Sequence, residues 1–133
     1  MNALLVLPVV LVISIASRYV MNSYGAGFGN GWPTLVIVSM TAGIIAVEAP
    51  VGQIIAASGR MWIGLAMNLG WAIAFILATF LLIGHGSLGI ASARLGAYLL
   101  HGIWVFAFAY RYLAVANAGL NARRYATPCL GES

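Results

Sequence analysis

The chain has 133 residues, of which 63% are hydrophobic and 6% charged, against about 25% charged in an ordinary soluble domain. Two acids and six arginines cannot cover the surface that a soluble fold of this length exposes, so an integral membrane protein is predicted. The net charge of +4 comes from arginine alone. Those arginines are scattered near expected helix ends, as membrane anchors are, and not gathered on one face with interleaved aromatics, which excludes a nucleic-acid binder. The single cysteine, Cys129, stands in a polar tail and gives neither a disulfide framework nor a thiolate metal cluster.

The first apolar run covers about residues 3–22. It begins ALLVLPVVLVISIAS without a charge, and Arg18 and Tyr19 mark an interface before Val20 and Met21. A cleaved signal peptide is the competing reading, with Ile15-Ala16-Ser17 as the cleavage site, but no positively charged segment precedes the run. Pro8 either kinks this helix or sits in its first turns. Residues 23–33, SYGAGFGNGWP, hold four glycines and a proline. They read as a surface loop anchored by Tyr24, Phe28 and Trp32, with Pro33 suited to the first turn of the next helix.

The stretch from Thr34 to Ile83 reads as a transmembrane helical hairpin around which the rest is organised. Each arm has the roughly 20 apolar residues that cross a hydrocarbon core of about 30 Å. The break between them, at Ser58-Gly59-Arg60, puts a positive charge at one surface. The first arm carries Glu48, Pro50 and Gln53 where lipid tolerates them least. The second arm places Ala66, Gly70, Ala74 and Ala78 four apart on one face, where small residues let helices approach closely. After the loop Gly84-His85-Gly86-Ser87, a fourth run extends from Leu88 to about Leu113.

The predicted fold is therefore an all-α integral membrane protein. Its transmembrane region is 1–113, with four helices over about 3–22, 34–57, 61–83 and 88–113. A polar tail, 114–133, is expected outside the membrane and poorly ordered. Four spans place both termini on the side of Arg60, Arg111, Arg123 and Arg124, leaving Arg18 and Arg94 toward the other, so the positive-inside rule makes the termini cytoplasmic.

Glu48 is the most informative residue, since an ionisable group deep in a span marks by default a function or a partner. Pro50 frees a backbone carbonyl near Ala46, and with Gln53 the carboxylate makes a candidate ion-coupling site. The alternative is structural: Glu48 pairs with an arginine, or is protonated and hydrogen-bonded. Arg94, Tyr98 and His101 are spaced four and three apart, so they share a helix face with Val105 and Phe108. With Arg18 they form a candidate substrate-binding set, because guanidinium matches phosphate geometry and the rings add donors. Against this, Arg94 and Arg18 can snorkel to the interface and His101 can be a satisfied core histidine. Asn68, Gln53, Ser39 and Thr41 read as interhelical hydrogen bonds, and Trp62, Trp71 and Trp104 as interface belt or packing. No nucleophile stands with a base, no glycine loop cradles phosphate, no ligand set fits a metal and no cofactor is called for, so an enzyme is not expected.

Three segments in order, each an apolar span apart, carry a family resemblance: Tyr24-Gly25 through Gly31-Trp32-Pro33 with Leu35; Gly52-Gln53-Ile54-Ile55-Ala56-Ala57-Ser58-Gly59-Arg60; and Gly86-Ser87-Leu88-Gly89-Ile90-Ala91-Ser92-Ala93. The chain resembles here the C-terminal part of polysaccharide and O-antigen lipid flippases of the multidrug/oligosaccharidyl-lipid/polysaccharide exporter superfamily. The resemblance implies helices nine to twelve of a two-lobe, twelve-helix transporter of the bacterial inner membrane. Such a transporter moves polyprenyl-pyrophosphate-linked oligosaccharide through a cationic cavity by alternating access. Rocking of that kind needs both lobes, so the expected partners are an N-terminal lobe or another membrane chain, besides the bilayer and the lipid-linked oligosaccharide. Two other readings are a small four-helix proton-coupled drug exporter acting as a homodimer, with Glu48 exchanging protons for a cation, and a non-transporting membrane subunit held by the small-residue stripe of the third helix.

Overall fold

A computed structural model describes residues 2–126. Among them the chain is helical with no strand: α1 is Asn2–Ser23, α2 Trp32–Ala57, α3 Met61–Leu82 and α4 Gly86–Ala126, with short 3-10 turns at Ala26–Gly31 and Ile83–His85. Three continuous helical stretches are long and apolar enough to cross a bilayer: Leu4–Ser23, Gly27–Ala57 and Met61–Tyr112. The last joins α3 to α4 through the 3-10 turn. Pro33 lies in the first turn of α2, where its missing N–H has no helical partner to lose. Both α1 and α2 run unbroken through their internal prolines, Pro8 and Pro50.

The two reversals after α2 rest on glycines with positive φ. Gly59 has φ 72° after α2, and its N–H donates to Ala56 O while that of Ser58 donates to Ile54 O, closing the helix end. Gly86, at φ 63°, opens α4.

Cross-helix contacts fix the directions. Val10 lies against Gly43 and Met21 against Gly31, so residue numbers fall on α1 as they rise on α2 and the pair is antiparallel. Trp71 packs on Tyr98 and Gly70 on Trp104, which makes α3 and α4 antiparallel as well. Thr34 meets Ser87 and Glu48 meets His101, with both numbers rising together, so α2 and α4 are parallel. The spatial order is α1, α2, α4, α3.

The expected hairpin is thus not the centre of the fold. Its arms, α2 and α3, touch little, with Ile55 near Gly64 beside the turn, because α4 lies between them and makes the extensive contacts with both. The sequence of α4 explains its position. Ala93, Ala97 and Val105 are buried at multiples of four residues, with His101 in the same series, so small side chains let α2 come close. The stripe expected on α3 is used in part: Gly70 receives the Trp104 ring, but no residue of α3 is buried.

The tail is expected to be poorly ordered, but its first part is helical: α4 continues beyond the apolar run, past Leu113, to Ala126. Ala114, Ala116, Ala118, Ala122, Arg123 and Arg124 favour helix intrinsically, and α4 passes the level of the α2–α3 turn, where the Arg60 guanidinium lies 5.3 Å from the Tyr112 ring centre. The rest of the tail, with Cys129, lies outside the described residues.

The polar side chains read as bridges behave otherwise. Ser39 Oγ and Thr41 Oγ1 donate to the carbonyls of Leu35 and Ile37, each 2.8 Å away in their own helix. Asn68 and Gln53 are exposed. Large apolar side chains cover the outer surface, with Leu4, Ile15 and Leu81 each more than 80% exposed. A soluble monomer does not present apolar area on that scale.

Candidate functional site

Parallel packing of α2 on α4 generates the site. Thr34 and Ser87, whose hydroxyl oxygens are 3.4 Å apart, set the register at one end. Fourteen residues further along each helix, about four turns of 3.6 residues, the same two faces meet again. There stand Glu48 and His101, with Nδ1 of the imidazole 2.8 Å from Oε2 of the carboxylate. The pair lies about 20 Å from the Thr34 level and about 13 Å from the end of α2 at Ala57, by the 1.5 Å rise per residue. Both groups are enclosed: Glu48 is 7% exposed and the His101 side chain 14%. A buried carboxylate needs a partner of this kind, since removing it from water without one is costly.

Gly102 makes the burial possible. A Cβ on this residue would lie 2.6 Å from Glu48 Oε1, so any larger side chain displaces the carboxylate. Oε1 itself is buried and has no hydrogen-bond partner among the described residues. Aromatic rings flank the imidazole on both sides, Tyr98 at 6.4 Å and Trp104 at 6.1 Å between centroids and each near edge-on. Tyr98 in turn packs on Trp71, 5.0 Å away, which stacks on Phe75. These contacts hold the ring plane of His101 so that Nδ1 points at α2.

No known family model, curated protein or solved structure matches this chain. The chemistry of the site is therefore read from its own residues. The carboxylate and the imidazole form one hydrogen bond, 2.8 Å long, and the second carboxylate oxygen can accept another donor.

Beside the pair a cleft of about 910 Å³ opens between α1, α2 and α4. Glu48 and Gly102 line it with Val10, Met40, Ile103 and Phe106. A smaller hollow of about 440 Å³ lies between α3 and α4 against Trp62, Met67, Gly70 and Trp104.

The candidate residues named from sequence are distributed as follows. Arg94, Tyr98 and His101 lie in a row along α4, with the Arg94 guanidinium 5.9 Å from the Tyr98 ring centre, and Glu48 joins the end of that row from α2. Arg94 is exposed. Arg18, also exposed, lies 5.7 Å from the Trp32 ring centre, away from the pair. Gln53 is not joined to Glu48: five residues turn a helix by about 140°, and its side chain is exposed. The partner of Glu48 is the histidine, not one of the arginines. Gly102, Trp71 and Trp104 were not singled out for a site by their sequence. The one signal available was the equal separation of Thr34 from Ser87 and of Glu48 from His101, which carries meaning only once α2 and α4 are known to be parallel.

Proposed function

We propose that the chain is a four-span protein of the bacterial inner membrane, with α1, α2, α3 and α4 to about Leu113 each crossing once and both termini cytoplasmic, and that it works as the C-terminal part of a transporter. The buried Glu48–His101 pair carries this reading, because ionisable groups within membrane spans mark transport pathways and proton relays. Protonating the carboxylate removes its charge and weakens the attraction across the α2–α4 interface. That interface is lined by alanines and glycine and holds few side-chain locks, so α2 can shift against α4 when the bond is lost.

The family resemblance supplies the substrate class: a polyprenyl-pyrophosphate-linked oligosaccharide. Arg94 and Arg18 are both exposed, and guanidinium groups match the geometry of a pyrophosphate. Alternating access requires a second lobe, supplied by further spans or by another membrane chain.

Proteoliposomes test the activity. The protein, purified with whatever membrane chains hold to it, is expected to speed the movement of a fluorescent polyprenyl-pyrophosphate disaccharide into the inner leaflet, with Glu48→Gln slowing it at least tenfold. A rate equal to that of protein-free liposomes overturns the proposal. Orientation is tested separately in a Cys129→Ser background with a membrane-impermeant maleimide on whole cells. His85→Cys should label directly, and Met61→Cys only after permeabilisation. Labelling of position 61 from outside refutes the topology.

A further inference from the structure

We propose that the cleft between α1, α2 and α4 is a binding site for a lipophilic primary ammonium ion, whose N–H groups donate to the Glu48 carboxylate and whose alkyl chain lies along α1 and α2. The site is independent of whether the chain transports anything, and it needs no second copy.

Three observations converge on it. Glu48 is 93% buried by its 7% exposure, lines the cleft, and keeps one oxygen, Oε1, without a hydrogen bond among the described residues. A buried acceptor in this position calls for a donor, and the described residues place a hydrogen-bonding partner only at Oε2. The remaining walls are almost entirely apolar: Leu7, Leu11, Met40, Val47, Ile103 and Phe106. The cleft extends along α2 from Val36 to Glu48, about 18 Å at the helical rise. Its volume of about 910 Å³ falls within the roughly 300–1,000 Å³ of small-ligand sites.

Charge selects among amphiphiles. Glu48 is the only acid among the described residues, and no arginine lines the cleft. A phosphate or sulfate head would be brought against a carboxylate, with no arginine among the described lining residues to pair with it, and is disfavoured. A quaternary ammonium brings charge but no N–H, and an alkanol brings a donor but no charge. A primary amine brings both, being protonated at pH 7 like the lysine side chain, whose ordinary pKa is about 10.4. Entry is lateral, since Leu11 and Ile103 on the rim are 62% and 69% exposed, and a bilayer concentrates such a molecule beside the opening. Diacyl phospholipids are held at the interface by their phosphates, so a single-chain amine is the form that reaches Glu48.

The full-length protein in phosphatidylcholine nanodiscs is titrated with tritiated dodecylamine, with empty nanodiscs as background. Saturable binding is expected. Glu48→Gln should weaken it at least tenfold. Ile103→Trp, which fills the open wall without touching the carboxylate, should weaken it at least fivefold while leaving the melting temperature unchanged, and so keeps the test decisive if the Glu48 variant misfolds. Unlabelled dodecyltrimethylammonium and dodecanol should each compete at least tenfold more weakly than dodecylamine, and dodecyl sulfate not at all. Equal affinity in the wild type and Ile103→Trp, equal competition by dodecanol, or binding no greater than in empty nanodiscs overturns the site.

Discussion

Replacing His101 with leucine is expected to destabilise the fold by about 3–5 kcal/mol, the cost of leaving a buried charge without its partner. The size of the loss follows from the surroundings of Glu48. Its Oε1 already lacks a hydrogen bond, so removing the imidazole 2.8 Å from Oε2 strips the carboxylate of its only side-chain partner among the described residues. The double variant Glu48→Leu/His101→Leu should recover most of that loss and come within about 1 kcal/mol of the wild type, since replacing both members of a buried polar pair by apolar groups is nearly neutral. Unfolding by sodium dodecyl sulfate in mixed micelles measures the four corners of this cycle. Simple additivity of the two single losses means that the pair is not coupled, and rules out the geometry described for α2 and α4.

Gly102→Val is expected to lose about 1–3 kcal/mol from overpacking alone. The added Cβ lies 2.6 Å from Glu48 Oε1, so either the carboxylate swings away from His101 or α4 moves off α2, and the polar pair is weakened in both cases. Gly96→Val is the control. It lies in the same helix, and a Cβ there meets nothing within 4 Å, so its loss should stay within the modest cost or gain of changing glycine to a branched residue on a helix. If the two variants have equal stabilities in the same micelle titration, the close approach at Gly102 does not exist.

Some of this molecule was legible in one dimension. Composition and the length of the apolar runs predicted an all-helical chain, because a helix satisfies its backbone internally and lipid-facing side chains need only be apolar. The turn at Gly59 was legible for a similarly local reason: the apolar pattern stops at a glycine, and the backbone there takes a positive φ that other residues adopt at a cost. The length of α4 was less legible, since the apolar run ends near Leu113 while residues after it remain compatible with helix. Alanine and arginine continue a helix as readily outside lipid as within it, and α4 runs on to Ala126.

Which polar groups meet was not legible. Glu48 and His101 stood out separately, each as a polar residue in an apolar run, but their bond depends on two helices that are distant in sequence being parallel neighbours. Local periodicity is nearly silent on that choice, as large apolar residues lie on every side of α2 and its few polar ones mark no single face. Ser39 and Thr41 show the same difficulty from the other side. They satisfy themselves on carbonyls one turn back in their own helix, an option open to any hydroxyl on a helix, so their polarity said nothing about a neighbour.

The sequence by itself determined that the chain is helical, apolar over lengths that can cross a membrane and broken at Gly59 and Gly86, since these properties depend on each residue's own chemistry and its near neighbours. Only the tertiary structure decided that α4, and not the α2–α3 hairpin, is central, and that Gly102 makes the space in which Glu48 reaches His101. The physical reason is that helix pairing in an apolar medium is settled by close fit between faces: Ala93, Ala97 and Gly102 let two backbones approach, and that fit exists only when both helices are in place.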